Sequence, residues 1–231
     1  MPTNDQLRAY SLFTGLSDAE LTALAPCITR RAFGKGAYLY YPGSPGLSLY
    51  LVESGLVRTF FADVHGREYL LNVFGPRTCI GLPVLPDGQA RMVGAAVQQE
   101  TVTLILMRDD MFEMMKRSAQ FMQNVYYELA NATRKLALYA QAHTILQVNG
   151  RLASLLMYHA VRGDGAGSNE IALSLTQAEI ASWVGASRAR INSALSKMQQ
   201  QKLIRLEGKK IIILDLQGVA KMAEGLHNYS V

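Results

Sequence analysis

The chain has 231 residues, 49% of them hydrophobic, 18% charged and 8% aromatic, which excludes a disordered chain and suits two compact domains. Its two cysteines, Cys27 and Cys79, are too few for a disulfide framework or a four-thiolate metal site. No apolar run reaches the roughly eighteen residues needed to span a bilayer. The formal net charge is +5, and residues 176–210 hold a matching excess, 7 Lys+Arg against 2 Asp+Glu. Such a local field attracts a phosphate backbone.

The opening MPTNDQLRAYSLF has no basic segment followed by an apolar stretch, so a soluble cytoplasmic protein, without a membrane role, is expected. In LSDAELTALAPCI, Ser17 and Glu20 form a capping box that opens a short helix. From Arg31 to about Met107 the texture changes to short apolar runs: YLYY, LSLYLV, VRTFF, YLLNVF and TVTLILM. Turn residues separate them, among them Ser54-Gly55, His65-Gly66 and Asp87-Gly88. This pattern predicts a β-sandwich or barrel.

From Arg108 to Gly150 glycine and proline are absent, and a long helix is expected. Met122, Val125, Leu129, Ala132, Leu136, Tyr139, His143 and Leu146 alternate spacings of three and four, an a/d seam four heptads long. It suits helix packing against a second copy of the chain; packing against its own β-domain is the alternative. His143 has no second ligand at metal spacing and reads as a structural polar residue. Asn149-Gly150 marks the expected hinge.

Beyond the hinge, RLASLLMYHAV reads as an amphipathic helix, RGDGAGSNE as a loop and IALSL as a strand. Thr176-Gln177-Ala178-Glu179 is a second capping box, and Gly185 suits the left-handed end of its helix. Ser187 caps the next helix, whose inner face is Ile191, Ala194, Leu195 and Met198. Two helices so joined form a helix-turn-helix, and its second helix enters the major groove. The outer face carries Arg188, Arg190, Asn192, Ser193 and Lys197. Arg188 suits reading a guanine with its forked donors. Arg190 and Lys197 suit phosphate, and Thr176, Gln177 and Ser187 complete the DNA-binding set. The alternative is a helical hairpin with a basic rim. Lys209-Lys210 fits a hairpin turn before IIILDL.

At these residues the sequence resembles the CRP/FNR (catabolite-activator) family of bacterial transcription regulators. LTQAEIASWVGASRARINSALSKMQQQKLI and NGRLASLLM carry the resemblance in the second half, and GKGAYLYYPGSPGLSLYLVESGLVR carries it in the first. The resemblance implies an α+β chain in three parts. Residues 1–117 form a cyclic-nucleotide-binding-like β jelly roll that senses an effector. Residues 118–148 form the dimerisation helix, and 149–231 a winged helix-turn-helix. It further implies a homodimer on a pseudo-palindromic operator in double-stranded DNA. RNA polymerase is the implied protein partner, touched in some relatives by the region of RGDGAGSNE.

Several positions depart from the family. Gly81 and Arg91 match the stretch that holds the phosphate of cyclic AMP, but Leu82-Pro83 replaces its glutamate and Met92 its hydroxyl residue. Leu136 and Ala137 occupy the positions that contact adenine, and neither hydrogen-bonds a base. Arg91 is then either an anion anchor or a structural arginine. Two cysteines do not make an iron–sulfur site, and Cys79 lacks the histidine two residues on that haem-binding relatives carry, so no cofactor is expected. Relatives that read TGTGA use an Arg-Glu pair and a second arginine, where this chain has Arg188, Ala189 and Ser193.

The sequence thus reads as a homodimeric, sequence-specific DNA-binding regulator that senses a ligand other than cyclic AMP or acts without one. A ligand-binding scaffold that regulates a protein partner is the alternative. No enzyme is expected, since His65, His143, His159 and His227 are scattered and no P-loop, dinucleotide loop or nucleophile elbow appears.

Overall fold

The computed structural model describes residues 1–162, 170–171, 176–208 and 210–223. The middle of RGDGAGSNE, IALSL beyond Ile171, Lys209, His227 and the His159 side chain lie outside the described residues. The chain divides into two compact units, residues 1–134 and 135–231.

The first unit opens with α1 (Asn4–Arg8) and α2 (Asp18–Leu24), each started by a reciprocal capping box: Thr3 with Gln6, and Ser17 with Glu20. Six strands follow: β1 (Ile28–Phe33), β2 (Tyr38–Tyr40), β3 (Ser48–Ala62), β4 (Glu68–Phe74), β5 (Cys79–Ile80) and β6 (Gly94–Met107). All their pairings are antiparallel, and β3 and β6 form the central pair. On its other edge β6 takes β2 first and β1 later; β3 takes β5 first and β4 later. Each long strand exchanges neighbours along its length, which lets the sheet fold over on itself as a jelly roll.

LSLYLV and VRTFF, expected as two strands, are one. Register shifts beside Val52, Ser54 and Leu56 make a bulge of the expected Ser54-Gly55 turn. Gly55 has φ of +90°, and a Cβ there would stand 2.3 Å from the Glu100 carbonyl oxygen. Glycine is what lets the two longest strands stay paired through the bend.

The long helix expected from Arg108 is also corrected. It is α3 (Arg108–Arg117) followed by α4 (Ala119–Ile145), with Ser118 extended between them. The buried Ser118 hydroxyl accepts from the Phe121 N–H at 3.1 Å, a cap that starts a new helix. The same hydroxyl bonds to Glu20; with the Ser17 bonds it holds that carboxyl down to about 2. The main core packs Leu12, Phe13 and Leu21 against Leu49 and Leu104 of the sheet and Phe121 of α4.

The second unit contains the end of α4, then α5 (Val148–Arg162), β7 (Glu170–Ile171), α6 (Gln177–Val184) and α7 (Arg188–Gln200). β8 (Ile204–Glu207), β9 (Lys210–Ile213) and α8 (Leu216–Met222) complete it. Helix α5 packs on α6, α7 and α8 through buried Leu152, Ala153, Leu155 and Leu156. The strands form an antiparallel sheet in the order β7-β9-β8, the wing of a winged helix-turn-helix. Lys210 begins β9 rather than sitting in the turn.

The α4–α5 break falls at Leu146 and Gln147, so Asn149-Gly150 lies in the first turn of α5 and is not the hinge. Gly150 answers to space instead: a Cβ would stand 2.9 Å from the Met222 carbonyl oxygen. No helix among the described residues is long and apolar enough to cross a membrane.

Candidate DNA interface and effector region

Helix α6 begins at Thr176, whose hydroxyl accepts from the Glu179 N–H while the Glu179 carboxylate accepts from the Thr176 N–H. It ends at Gly185, left-handed at φ 66°, whose N–H returns to the Ser182 carbonyl at 3.2 Å. Two residues later Ser187 caps α7 by accepting from the Arg190 N–H at 3.3 Å. These local bonds fix the turn angle between the two helices, as their residue types predict.

Helix α7 is sharply two-sided. Ile191, Ala194, Leu195 and Met198 are buried. Ser187, Arg188, Ala189, Arg190, Asn192, Ser193, Ser196 and Lys197 are exposed, as are Thr176 and Gln177. Among the described residues Arg188, Arg190 and Lys197 are in no ion pair, whereas Arg205 of the wing is held by Glu207 at 2.7 Å. A rigid helix therefore offers one row of donors and three cations to solvent, with its back anchored in a core. That arrangement is chemically suited to phosphate oxygens and base edges.

The heptad stripe on α4 does not share one environment. Val125 is fully buried in its own unit, and Leu129 packs against the same core. Tyr139 and His143 turn toward Trp183 of α6, with ring centres 5.4 and 6.3 Å from the indole. Leu146 lies against the backbone at Gly150, and Ala132 is half-buried. Of the eight positions only Met122 and Leu136 are exposed, Leu136 at 58%. Between Met122 and Ala140 the exposed positions are Met122, Gln123, Tyr126, Tyr127, Ala130, Thr133, Arg134, Leu136, Ala137 and Ala140, a face displaced by about a third of a turn from the predicted seam. Heptad spacing located apolar positions but could not tell which of them their own unit covers. The Trp183 cluster gave no signal in the sequence, because its members stand forty residues apart.

Arg91 is 3% exposed. Its Nη1 donates to the Gly81 carbonyl at 2.9 Å and its Nη2 to the Ser48 carbonyl. Its guanidinium fills the space beside Gly81, which is left-handed at φ +95°; a Cβ there would stand 2.3 Å from Nη1. Burial lowers the pKa of this arginine. Arg108 pins the same segment farther along, donating to the Leu85 carbonyl at 2.6 Å and the Pro86 carbonyl at 3.3 Å. Of the predicted pocket residues of this unit, Gly81 and Arg91 meet, whereas Leu82 is a core residue and Met92 is 74% exposed. Leu136 and Ala137, both exposed, belong to the other unit. Cys27 and Cys79 are half-buried and form no disulfide. Among the described residues no three His, Cys, Asp or Glu side chains cluster as metal ligands do.

Comparison with known proteins agrees with this construction. Residues 30–118 match the cyclic nucleotide-binding domain, and residues 150–222 match the Crp-like helix-turn-helix domain. The CRP-like cAMP-activated global transcriptional regulator of Mycobacterium tuberculosis is 29% identical over 219 residues, 94% of this chain and 98% of that protein. The cyclic AMP receptor protein of Thermus thermophilus is 26% identical, across 95% of this chain and all of that protein. The structure of FixK2 from Bradyrhizobium japonicum has the same fold, with a TM-score of 0.77 at 19% identity, covering 84% of this chain and 96% of that one. With both domains present in the same order along almost the whole length, and a helix-turn-helix built to meet DNA, the chain belongs to the CRP/FNR family of DNA-binding transcription regulators.

Proposed function

We propose that the chain works as a homodimer that reads a pseudo-palindromic site, one half per copy. The observation that carries this reading is the division of α7 between a buried inner face and an exposed outer face of small polar residues and cations that are in no ion pair among the described residues. Arg188, in the first turn, is the base reader; Arg190 and Lys197 hold phosphates, with Thr176, Gln177, Ser187, Asn192 and Ser193 around them. The apolar side of α4 at Met122, Tyr126, Leu136 and Ala137 is the surface that supports pairing. Half-site centres then lie about 34–36 Å apart. As a regulator of transcription it acts on RNA polymerase in the cytoplasm, a role that rests on the family.

The Mycobacterium tuberculosis and Thermus thermophilus relatives are named for cyclic AMP. In this chain Arg91 is engaged by two main-chain carbonyls, and Leu82-Pro83 offers no acceptor side chain to a ribose hydroxyl. Both observations support a jelly roll that senses another ligand, or none.

Fluorescence anisotropy with genomic fragments across a salt series tests the reading. Affinity should fall linearly on logarithmic axes with a steep slope, and one class of fragment should be held at least about a thousandfold more tightly than bulk DNA. A shallow slope with no preferred fragment would favour the protein-partner scaffold.

A further inference from the structure

Within the second unit, α4 meets the helix-turn-helix through one aromatic cluster. Tyr139 and His143, one turn apart, stack with ring centres 4.2 Å apart, and the Trp183 indole stands edge-on to Tyr139. The Gly185 turn that joins α6 to α7 closes the cluster, since a Cβ there would lie 3.3 Å from His143 Cε1. His143 is therefore wedged against both α6 and the turn that aims α7. One ring nitrogen bonds to the Trp183 main chain. The other, Nε2, is buried with no hydrogen-bond partner among the described residues.

The groups around this ring decide what a proton does to it. Helix α5 brings Arg151, whose Nη1 reaches the His143 carbonyl at 3.5 Å. Helix α4 itself brings the Tyr139 hydroxyl, kept neutral because burial raises its pKa. Helix α6 brings the uncharged Trp183 and Gly185. Among the described residues no carboxylate acts on the ring.

We propose that His143 is a proton-sensitive positioning residue: neutral, it holds the helix-turn-helix on α4, and protonated, it releases it and weakens DNA binding. A proton on Nε2 would place an N–H where the described residues offer no acceptor and a second positive charge beside Arg151. Both penalties are relieved when the ring leaves the cluster for water. Burial first, and the Arg151 charge second, hold the His143 pKa below its ordinary 6.5, against the opposing bond to Trp183. A histidine whose folded pKa lies below its unfolded value favours the packed form when neutral. The cluster is thus intact above pH 6.5 and loses stability as pH falls below it. Because only Gly185 and Ala186 separate α6 from the Ser187 cap, displacement of Trp183 is passed directly to Arg188.

Trp183 is the only tryptophan of the chain, so its emission reports on this cluster alone. Full-length protein titrated over about pH 5–8, the range in which histidine charges, should show one emission change with a midpoint below 6.5. Over the same interval, affinity for a selected DNA fragment should fall about fivefold or more. His143→Phe keeps a ring that takes no proton, and His143→Gln keeps a polar side chain without charge. Circular dichroism identifies which variants fold, and each folded one should bind DNA at neutral pH with neither the emission change nor the pH step. Flat emission in the parent protein, a DNA affinity independent of pH, or a transition that survives in both variants would overturn the proposal.

Discussion

The guanidinium of Arg91 lies over the ring of Tyr40, 4.1 Å from its centre, so a buried cation is held by an aromatic face and two carbonyls rather than by a carboxylate. Burial pushes the Tyr40 hydroxyl up to about 12, so that ring stays neutral. A cation over such a face gains about 0.5–2 kcal/mol, and each carbonyl left without its donor loses about 1–3 kcal/mol. Arg91→Met should lower unfolding free energy by about 2–4 kcal/mol, read from the midpoint of urea denaturation. An unchanged midpoint would mean that the arginine is free for a ligand.

The same engagement bears on the effector. Cyclic AMP would have to draw Arg91 away from Gly81 and Ser48, and would find no acceptor for its ribose hydroxyl at Leu82-Pro83. Two or three unmet polar groups imply a hundredfold or greater weakening against a matched site. Calorimetry with cyclic AMP should show no micromolar binding, and DNA affinity should not change on its addition. Micromolar affinity coupled to tighter DNA binding would contradict this.

Two leucines of α4 separate folding from assembly. Leu136 is exposed, while Leu129 packs against the first unit's core. Leu136→Asp should leave the stability of a single chain within about 0.5 kcal/mol and yield monomers by light scattering. Leu129→Asp should instead destabilise the chain itself, since it buries a charge in an apolar core. A dimeric Leu136→Asp protein would show that another surface pairs the copies.

The features legible in the sequence are those set by neighbouring residues. Ser17, Thr176 and Ser187 cap helices because the bonds they make close within three residues, and Gly185 ends α6 for an equally local reason. The inner and outer faces of α7 follow from helical period alone. Where a distant strand or helix decides, the sequence is silent. Ser54-Gly55 has the composition of a turn, yet Glu100 and Thr101 across the sheet make it a bulge. Ser118 breaks the expected helix through a cap and a bond to Glu20, ninety-eight residues earlier in the chain. Gly150 fits a hinge in composition, but Met222 accounts for it. Arg91 matched a phosphate anchor by position, and only its bonds to Gly81 and Ser48 revealed what it holds.

The role of α7 is tested most directly by binding of DNA selected from genomic fragments to the parent protein, Arg188→Ala and Lys197→Ala. Loss of Arg188 should cost about 1–3 kcal/mol per half-site and relax preference at one base pair, at a half-site other than TGTGA. Loss of Lys197 should weaken all sequences alike and lower the salt slope by about one. An Arg188→Ala protein that keeps both the affinity and the sequence preference of its parent would contradict the assignment of this helix as the reader.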